Sequence, residues 1–197
     1  MSRLTRWEDA DRSFDIEFWQ RQGSAAIFAA AWEMVVFANK FKGRDASELT
    51  FQRTLTKLNE YQVRYLVVGA YAVMNYTEPR YTKDLEVWVE PTSANAERVF
   101  RALTDFGPPT SEVTVEDLTN SDLIFQIGVA PHRIDIIMAV KGLNFAEAWA
   151  RRVETKFEDQ TMALVCKSDL MVSKQAAARP QDLLDLEQLR KSDQLKS

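Results

Sequence analysis

Asp84 and Glu86 stand two residues apart in Lys83-Asp84-Leu85-Glu86-Val87-Trp88-Val89-Glu90. On an extended backbone this spacing sends both carboxylates from one face, with α-carbons roughly 7 Å apart, near enough to converge on one or two hard cations. In isolation such a pair also describes the solvated face of any half-buried sheet. A third acid, Asp135, lies in Arg133-Ile134-Asp135-Ile136-Ile137-Met138. A carboxylate inside an apolar strand needs a cation or a hydrogen-bond donor once it is covered. Three acids on neighbouring strands repel one another unless a metal ion neutralises them. Such an ion must be held mainly by oxygen, because His132 is the sole histidine and Cys166 the sole cysteine. That leaves little material for a catalytic triad, a histidine-rich site, a cysteine-held zinc or any disulfide within the chain.

The elements that must position these acids follow from periodicity. Strict alternation over Lys83 to Glu90 predicts a half-buried strand with Leu85, Val87 and Val89 inward, ended by Pro91. Ser93 is placed to cap the next helix, whose Val99, Leu103 and Phe106 run to Gly107 and two prolines. Upstream, Tyr65-Leu66-Val67-Val68 reads as a buried strand ended by Gly69, with a short helix from Ala70 to Asn75. Leu123 to Ile127 and Arg133 to Met138 suggest a hairpin turning around Gly128 and Pro131. Asn144 and Glu147 fit the start of a helix reaching Arg151, and alternation from Val153 to Val165 suggests another strand pair. Ser168 opens a helix to about Ala178, and Pro180 starts a last one with Leu183, Leu184, Leu186 and Leu189 toward the core.

Before all of this, Ser13 to about Lys42 reads as two helices and Ser47 to about Glu60 as a third, which puts a boundary near residue 60. The 197 residues are 46% hydrophobic, enough for one compact domain or a core with a helical appendage. A net charge of -4, from 25 basic and 29 acidic residues, disfavours a broad nucleic-acid-gripping surface and a general RNA-binding role. The longest apolar run, Ala25 to Ala38, is broken by Glu33 and too short to span a bilayer, and Arg3, Arg6, Glu8, Asp9 and Asp11 leave no signal-peptide core. A cytoplasmic protein with no membrane contact is expected.

Three stretches in order, Leu66-Val67-Val68-Gly69-Ala70, Arg80-Tyr81-Thr82-Lys83-Asp84-Leu85-Glu86 and Ile134-Asp135-Ile136, resemble the nucleotidyltransferase superfamily. More closely, the chain is similar to the bacterial minimal and abortive-infection-type branch, often met in toxin–antitoxin or phage-defence operons. The resemblance covers about residues 61 to 190. It implies an α+β, polymerase-beta-like fold with a mixed sheet flanked by helices, preceded here by a helical extension: residues 1–60, then a core at 61–142, then a strand pair and helices at 143–197.

Residue by residue, the resemblance implies that Gly69 and Ala70 match a phosphate-facing turn and that Asp84, Glu86 and Asp135 are the catalytic acids and ligands of Mg²⁺ or Mn²⁺. Arg80, Thr82 and Lys174 then serve nucleotide binding; Arg80 alternatively pairs with a carboxylate, and Arg179, Asp182 and Asp185 pair to fix the last two helices. Tyr71, Tyr76 and Trp88 are either stacking or core aromatics. The implied reaction moves an NMP from an NTP to a hydroxyl of protein or RNA. Ala70 stands where relatives often have Ser or Gly, and Glu86 replaces the commoner Asp. The alternative is therefore a catalytically reduced fold acting as a regulatory or interaction module. Residues 13–60 are similar to small helical proteins encoded beside such enzymes, which implies a homodimer or operon-encoded partner bound there; the other reading is a helical extension that completes the core.

Overall fold

The computed structural model describes residues 13–41, 51–107, 113–128, 133–157 and 159–194. Its architecture is α+β, a mixed six-stranded sheet flanked by helices. Helices α1 (Ser13–Gln22), α2 (Ser24–Phe41) and α3 (Phe51–Glu60) precede β1 (Tyr65–Val67), α4 (Gly69–Met74), β2 (Asp84–Val89) and α5 (Ser93–Phe106). Then come β3 (Ile124–Ile127), β4 (Arg133–Ile137), α6 (Phe145–Ala150), β5 (Val153–Phe157), β6 (Gln160–Leu164), α7 (Lys167–Ala177) and α8 (Pro180–Gln194). The strand order is β3-β4-β2-β1-β6-β5, with β2–β4 and β1–β6 parallel and the other neighbours antiparallel. The parallel β2–β4 pair is possible because α5 and β3 supply the long crossover that such pairing requires.

Alternation in β2 does what the pattern implies: Leu85, Val87 and Val89 are buried, and Asp84 and Glu86 are half-buried on the other face. Trp88 shares that second face but is buried, with Phe145 edge-on at 5.0 Å and its indole N–H donated to the Met138 carbonyl. One face of β2 is therefore polar at its start and apolar at its end, so the acids sit at a margin of the sheet. Tyr71 is likewise core, stacked on Phe51 at 4.7 Å, and the Tyr76 hydroxyl donates to the Val165 carbonyl.

Asn95 ties β1 and β2 to α5. Its side-chain oxygen accepts from the Arg64 N–H at 2.8 Å, and its amide donates to the carbonyls of Arg64 at 3.0 Å and Glu90 at 3.1 Å. The Arg64 N–H and the Glu90 carbonyl lie just outside the β1–β2 ladder and would otherwise be orphaned, whereas the Arg64 carbonyl also accepts from the Glu90 N–H at 3.1 Å. The cap of α5 is Thr92, not Ser93, since its side chain accepts from the Asn95 N–H and its backbone is extended as a cap requires. Cys166 holds the corresponding position before α7, so that helix begins at Lys167 and not at Ser168.

One further expectation changes. Leu183 and Leu184 do not face the core: each is 55% exposed, while Asp182, Asp185, Leu186 and Leu189 form the buried stripe of α8. Helical spacing admits either stripe, and ion pairing decides between them. The buried core includes residues on both sides of position 60. Ile27, Phe28 and Ala31 from α2 and Phe51, Leu55 and Leu58 from α3 belong to the same buried cluster as β1 and β2. Gln20 donates to the Thr77 carbonyl at 2.7 Å and the Ser24 hydroxyl to the Asn75 side chain at 2.7 Å, so α1 and α2 are also tied to the chain leaving α4. The start of the third helix near Ser47 and the β3–β4 turn with His132 lie outside the described residues. Among the described residues no helix is long and apolar enough to cross a membrane.

Phe28→Ala should cost about 3–5 kcal/mol, the range for a buried aromatic, in a single urea transition; a separate early transition confined to the N-terminal helices would contradict the shared core. Asn95→Ala should cost about 1–3 kcal/mol by the same measurement, because it removes the partner of the Arg64 N–H and of the Glu90 carbonyl.

Candidate functional site

The parallel register of β2 with β4 pairs Asp84 with Arg133 and Glu86 with Asp135, and the antiparallel register of β3 with β4 pairs Gln126 with Asp135. Residues opposite one another in a ladder share a face, so five polar side chains form one patch at the start of β2 and β4. Arg133 organises it. Its Nε and Nη2 donate to the two Asp135 oxygens at 2.7 and 2.9 Å, and Nη2 also donates to Asp84. Gln126 donates to both Asp135 oxygens at 3.2 and 3.3 Å. Thr82 donates to the Asp84 side chain and carbonyl at 3.4 and 3.3 Å. The donor that a covered Asp135 requires therefore comes from its own strand.

Glu86 is placed differently. Its carboxylate lies against Gly69, where a Cβ would stand 1.6 Å from Glu86 Oε2. Gly69 also has φ +62, so backbone conformation and packing both demand glycine at this turn. Among the described residues the Glu86 carboxylate has no hydrogen-bond or ion-pair partner. Burial, and then the nearby charge of Asp84, push its pKa above the ordinary 4.5; Lys174 and Arg179 act against this, and Asp135 adds a smaller upward push.

Behind the acids, α7 and α8 carry a buried ion network. Lys174 Nζ lies 2.9 Å from Asp182 Oδ1 and 2.9 Å from Asp185 Oδ2, all three residues being buried. Arg179 Nε donates to Asp182 at 2.7 Å, and Arg80 Nη2 donates to Asp185 at 3.1 Å. For Asp182 burial acts upward, but the hydrogen bonds from Arg179 and Lys174 outweigh it and hold the carboxyl below its usual range. Arg80 thus takes the carboxylate-pairing role, and Arg179, Asp182 and Asp185 pair as their spacing allows. Through Arg80 the network anchors the loop that leads into Asp84.

Two clefts meet at Glu86, Lys174, Arg179 and Asp182. One, of about 560 Å³, is polar and includes Ala70, Arg80, Thr82, Lys83 and Asp84. The other, of about 300 Å³, includes Gly69 and is walled on one side by Ile124, Ile137 and Val140. Every nucleotide-site residue expected from sequence therefore lines one or other cleft, whereas Asp135 sits beside them under Arg133.

The donors are all oxygen, which suits Mg²⁺ or Mn²⁺ better than zinc, and the unpartnered Glu86 carboxylate fits a hard cation. In kind the residues fit such an ion. Their arrangement is not an open metal cage: among the described residues no three acids, histidines or cysteines stand grouped to hold one ion together, and Arg133 spans two of the three carboxylates. Sequence reading missed Arg133 and Gln126. Arg133 was legible in principle, being two residues before Asp135 and so on its face, as Asp84 is to Glu86. Gln126 reaches Asp135 only through strand register, which no local pattern encodes.

Two carboxylates of opposite circumstance, Asp185 buried and paired and Glu86 half-buried and unpaired, should respond oppositely to amide replacement. Asp185→Asn breaks a paired site and should cost about 3–5 kcal/mol. Glu86→Gln should stabilise the metal-free protein at neutral pH, by no more than about 1 kcal/mol because the half-buried carboxylate still reaches solvent in the clefts. The raised folded pKa means that the native state binds more protons than the unfolded chain once pH exceeds 4.5, so wild-type stability falls as pH rises through the window above that value. The advantage of Glu86→Gln should therefore vanish below about pH 4.5 in thermal melts, where both forms are neutral. An advantage independent of pH would contradict this assignment.

No family model and no curated protein matches the sequence. Among solved structures the chain is similar to the crystal structure of the lincosamide antibiotic adenylyltransferase LnuA with lincomycin bound, at TM-score 0.47 and 14% identity, over 73% of this chain and 98% of that one. At that level the likeness concerns the course of the backbone alone.

Proposed function

We propose that this protein is a metal-dependent nucleotidyltransferase that moves an NMP from an NTP to a hydroxyl of a protein or RNA, as a member of the minimal, abortive-infection-type branch associated with toxin–antitoxin or phage-defence systems. The observation that carries the reading is the convergence of Gly69, Glu86, Asp84 and Lys174 on two joined clefts. A carboxylate held against a glycine turn repels an incoming phosphate unless a cation stands between them, and Glu86 is the carboxylate here without a cation of its own. Asp84, Glu86 and Asp135 are the residues that would hold Mg²⁺ or Mn²⁺, which would supply Lewis-acid charge for attack of the acceptor hydroxyl on the α-phosphate with release of pyrophosphate.

The rest is the work of the chain. Gly69 lets the backbone approach phosphate closely. Lys174 and Arg179 place positive charge along the shared wall of the clefts, on a base made rigid by Asp182 and Asp185. Arg80 and Thr82 fix the loop before Asp84, and Ala70 leaves a backbone contact to phosphate but no hydroxyl. Ile124, Ile137 and Val140 offer an apolar wall suited to a flat base or to the acceptor's non-polar part.

A second reading, a catalytically reduced interaction module, is favoured by one observation, the closure of Asp84 and Asp135 by Arg133. It predicts a stable homodimer or protein partner through residues 13–60 and no consequence of changing the acids. Calorimetry with each of the four NTPs and Mg²⁺ separates the two. Wild type should bind at least one Mg–NTP, and an Asp84→Ala, Glu86→Ala double variant should lose at least about 100-fold, or 2.7 kcal/mol, of that affinity. Absence of binding to all four by the folded wild-type protein would remove the enzymatic reading.

A further inference from the structure

Arg133 is the one strong contact at the site that the nucleotidyl-transfer reading does not use, and it occupies the oxygens which that reading needs. Its fork engages both Asp135 oxygens, reaches Asp84, and leaves Glu86 alone. We propose that Arg133 is a resident counter-ion: it competes with the divalent cation for Asp84 and Asp135, and is released when the cation arrives together with a triphosphate.

Two observations and one chemical argument favour an exchangeable counter-ion over a permanent substitute for the metal. The first is exposure. The side chains of Arg133 and Asp84 are 29% and 24% exposed, so that although Asp135 is itself buried the pair opens to water on one side, whereas Lys174 is 10% exposed with both its acids buried. Ion pairs open to water are worth little and are readily traded, while buried ones are costly to break.

The second is charge balance. One guanidinium against Asp84, Glu86 and Asp135 leaves two negative charges when all three are ionised, and the residue left without a partner is the one lodged against Gly69. A lasting replacement for the metal would be expected to satisfy Glu86 as well.

The third is the fate of the guanidinium. Once displaced from Asp84, which lines the larger cleft, a planar fork of donors seeks an oxyanion, and a triphosphate entering with the ion supplies one. The free ion must evict Arg133 without offering it a new partner, whereas the nucleotide-bound ion evicts it and re-pairs it. Ion and nucleotide binding are then coupled, each raising the affinity of the other by the same factor.

The inference rests on the nucleotide-binding reading, and the test separates their failures. Mn²⁺ binding to the full chain is followed by electron paramagnetic resonance of the free ion, without nucleotide and with an equimolar mixture of the four α,β-methylene nucleoside triphosphates. Wild type should bind Mn²⁺ weakly alone and more tightly with nucleotide. Arg133→Met should bind free Mn²⁺ on the order of tenfold tighter and lose most of the gain from nucleotide. Arg133→Lys keeps the charge without the fork and should lie between, about threefold tighter, which keeps the test available if the methionine variant does not fold. Near-UV circular dichroism checks the fold of each. Equal or weaker free-ion affinity in a folded Arg133 variant, with binding still lost in Asp84→Ala, would overturn the counter-ion role and leave the nucleotide reading intact. No Mn²⁺ binding by wild type or variants, with or without nucleotide, would overturn both.

Discussion

Five carboxylates, Asp84, Glu86, Asp135, Asp182 and Asp185, gather around the start of β2, and the structure around them is arranged against their repulsion. Four cations answer them. Arg133 spans Asp84 and Asp135, Lys174 spans Asp182 and Asp185, Arg179 takes Asp182 and Arg80 takes Asp185. The balance falls one short, and the shortfall is local: Glu86 has the raised pKa and has no ion-pair partner among the described residues. Much of the surrounding geometry follows from holding these charges in place. The α7–α8 pair closes around Lys174, the loop before β2 is tied to α8 by Arg80, and Gly69 carries no side chain because a carboxylate stands where one would go.

The same constraint explains why α8 turns its leucines outward. Leu183 and Leu184 could in principle have been buried, but that would expose or strand the aspartates that neutralise Lys174. Leu186 and Leu189 still give the helix an apolar anchor, so burying the ion network costs the fold less than burying unpaired charges would. At the opposite pole the fold depends on ordinary packing. Phe28, Phe51, Tyr71 and Phe157 form an aromatic cluster joining the N-terminal helices to the sheet, and Asn95 closes the ends of β1 and β2. A polar margin of the sheet is thus carried by a rigid apolar interior, which permits charged side chains to be held at fixed positions.

The strands and most helices were legible because their periods are local. The alternation of β2, the runs of β1 and β4 and the Asn144 start of α6 are encoded within a few residues, and the structure reproduces them. Caps were legible only to within a position: Thr92 and Ser93 both offer a hydroxyl, and backbone geometry picks one. The outward turn of Leu183 and Leu184 was not legible, because the stripe that α8 buries depends on Lys174 in another helix.

Sequence alone determined that this chain has oxygen ligands and almost no nitrogen or sulfur ones, that Asp84 and Glu86 share a face, and that Gly69 ends the first strand. Those are consequences of composition and of a two-residue repeat. Tertiary structure alone decided which acids meet: strand register set Glu86 beside Asp135 and Gln126 across from it, the docking of α7 on α8 enclosed Lys174, and the pairing of β2 with β4 carried Arg133 to two of the three acids. Register and docking join residues far apart in the chain, and no short-range pattern contains them.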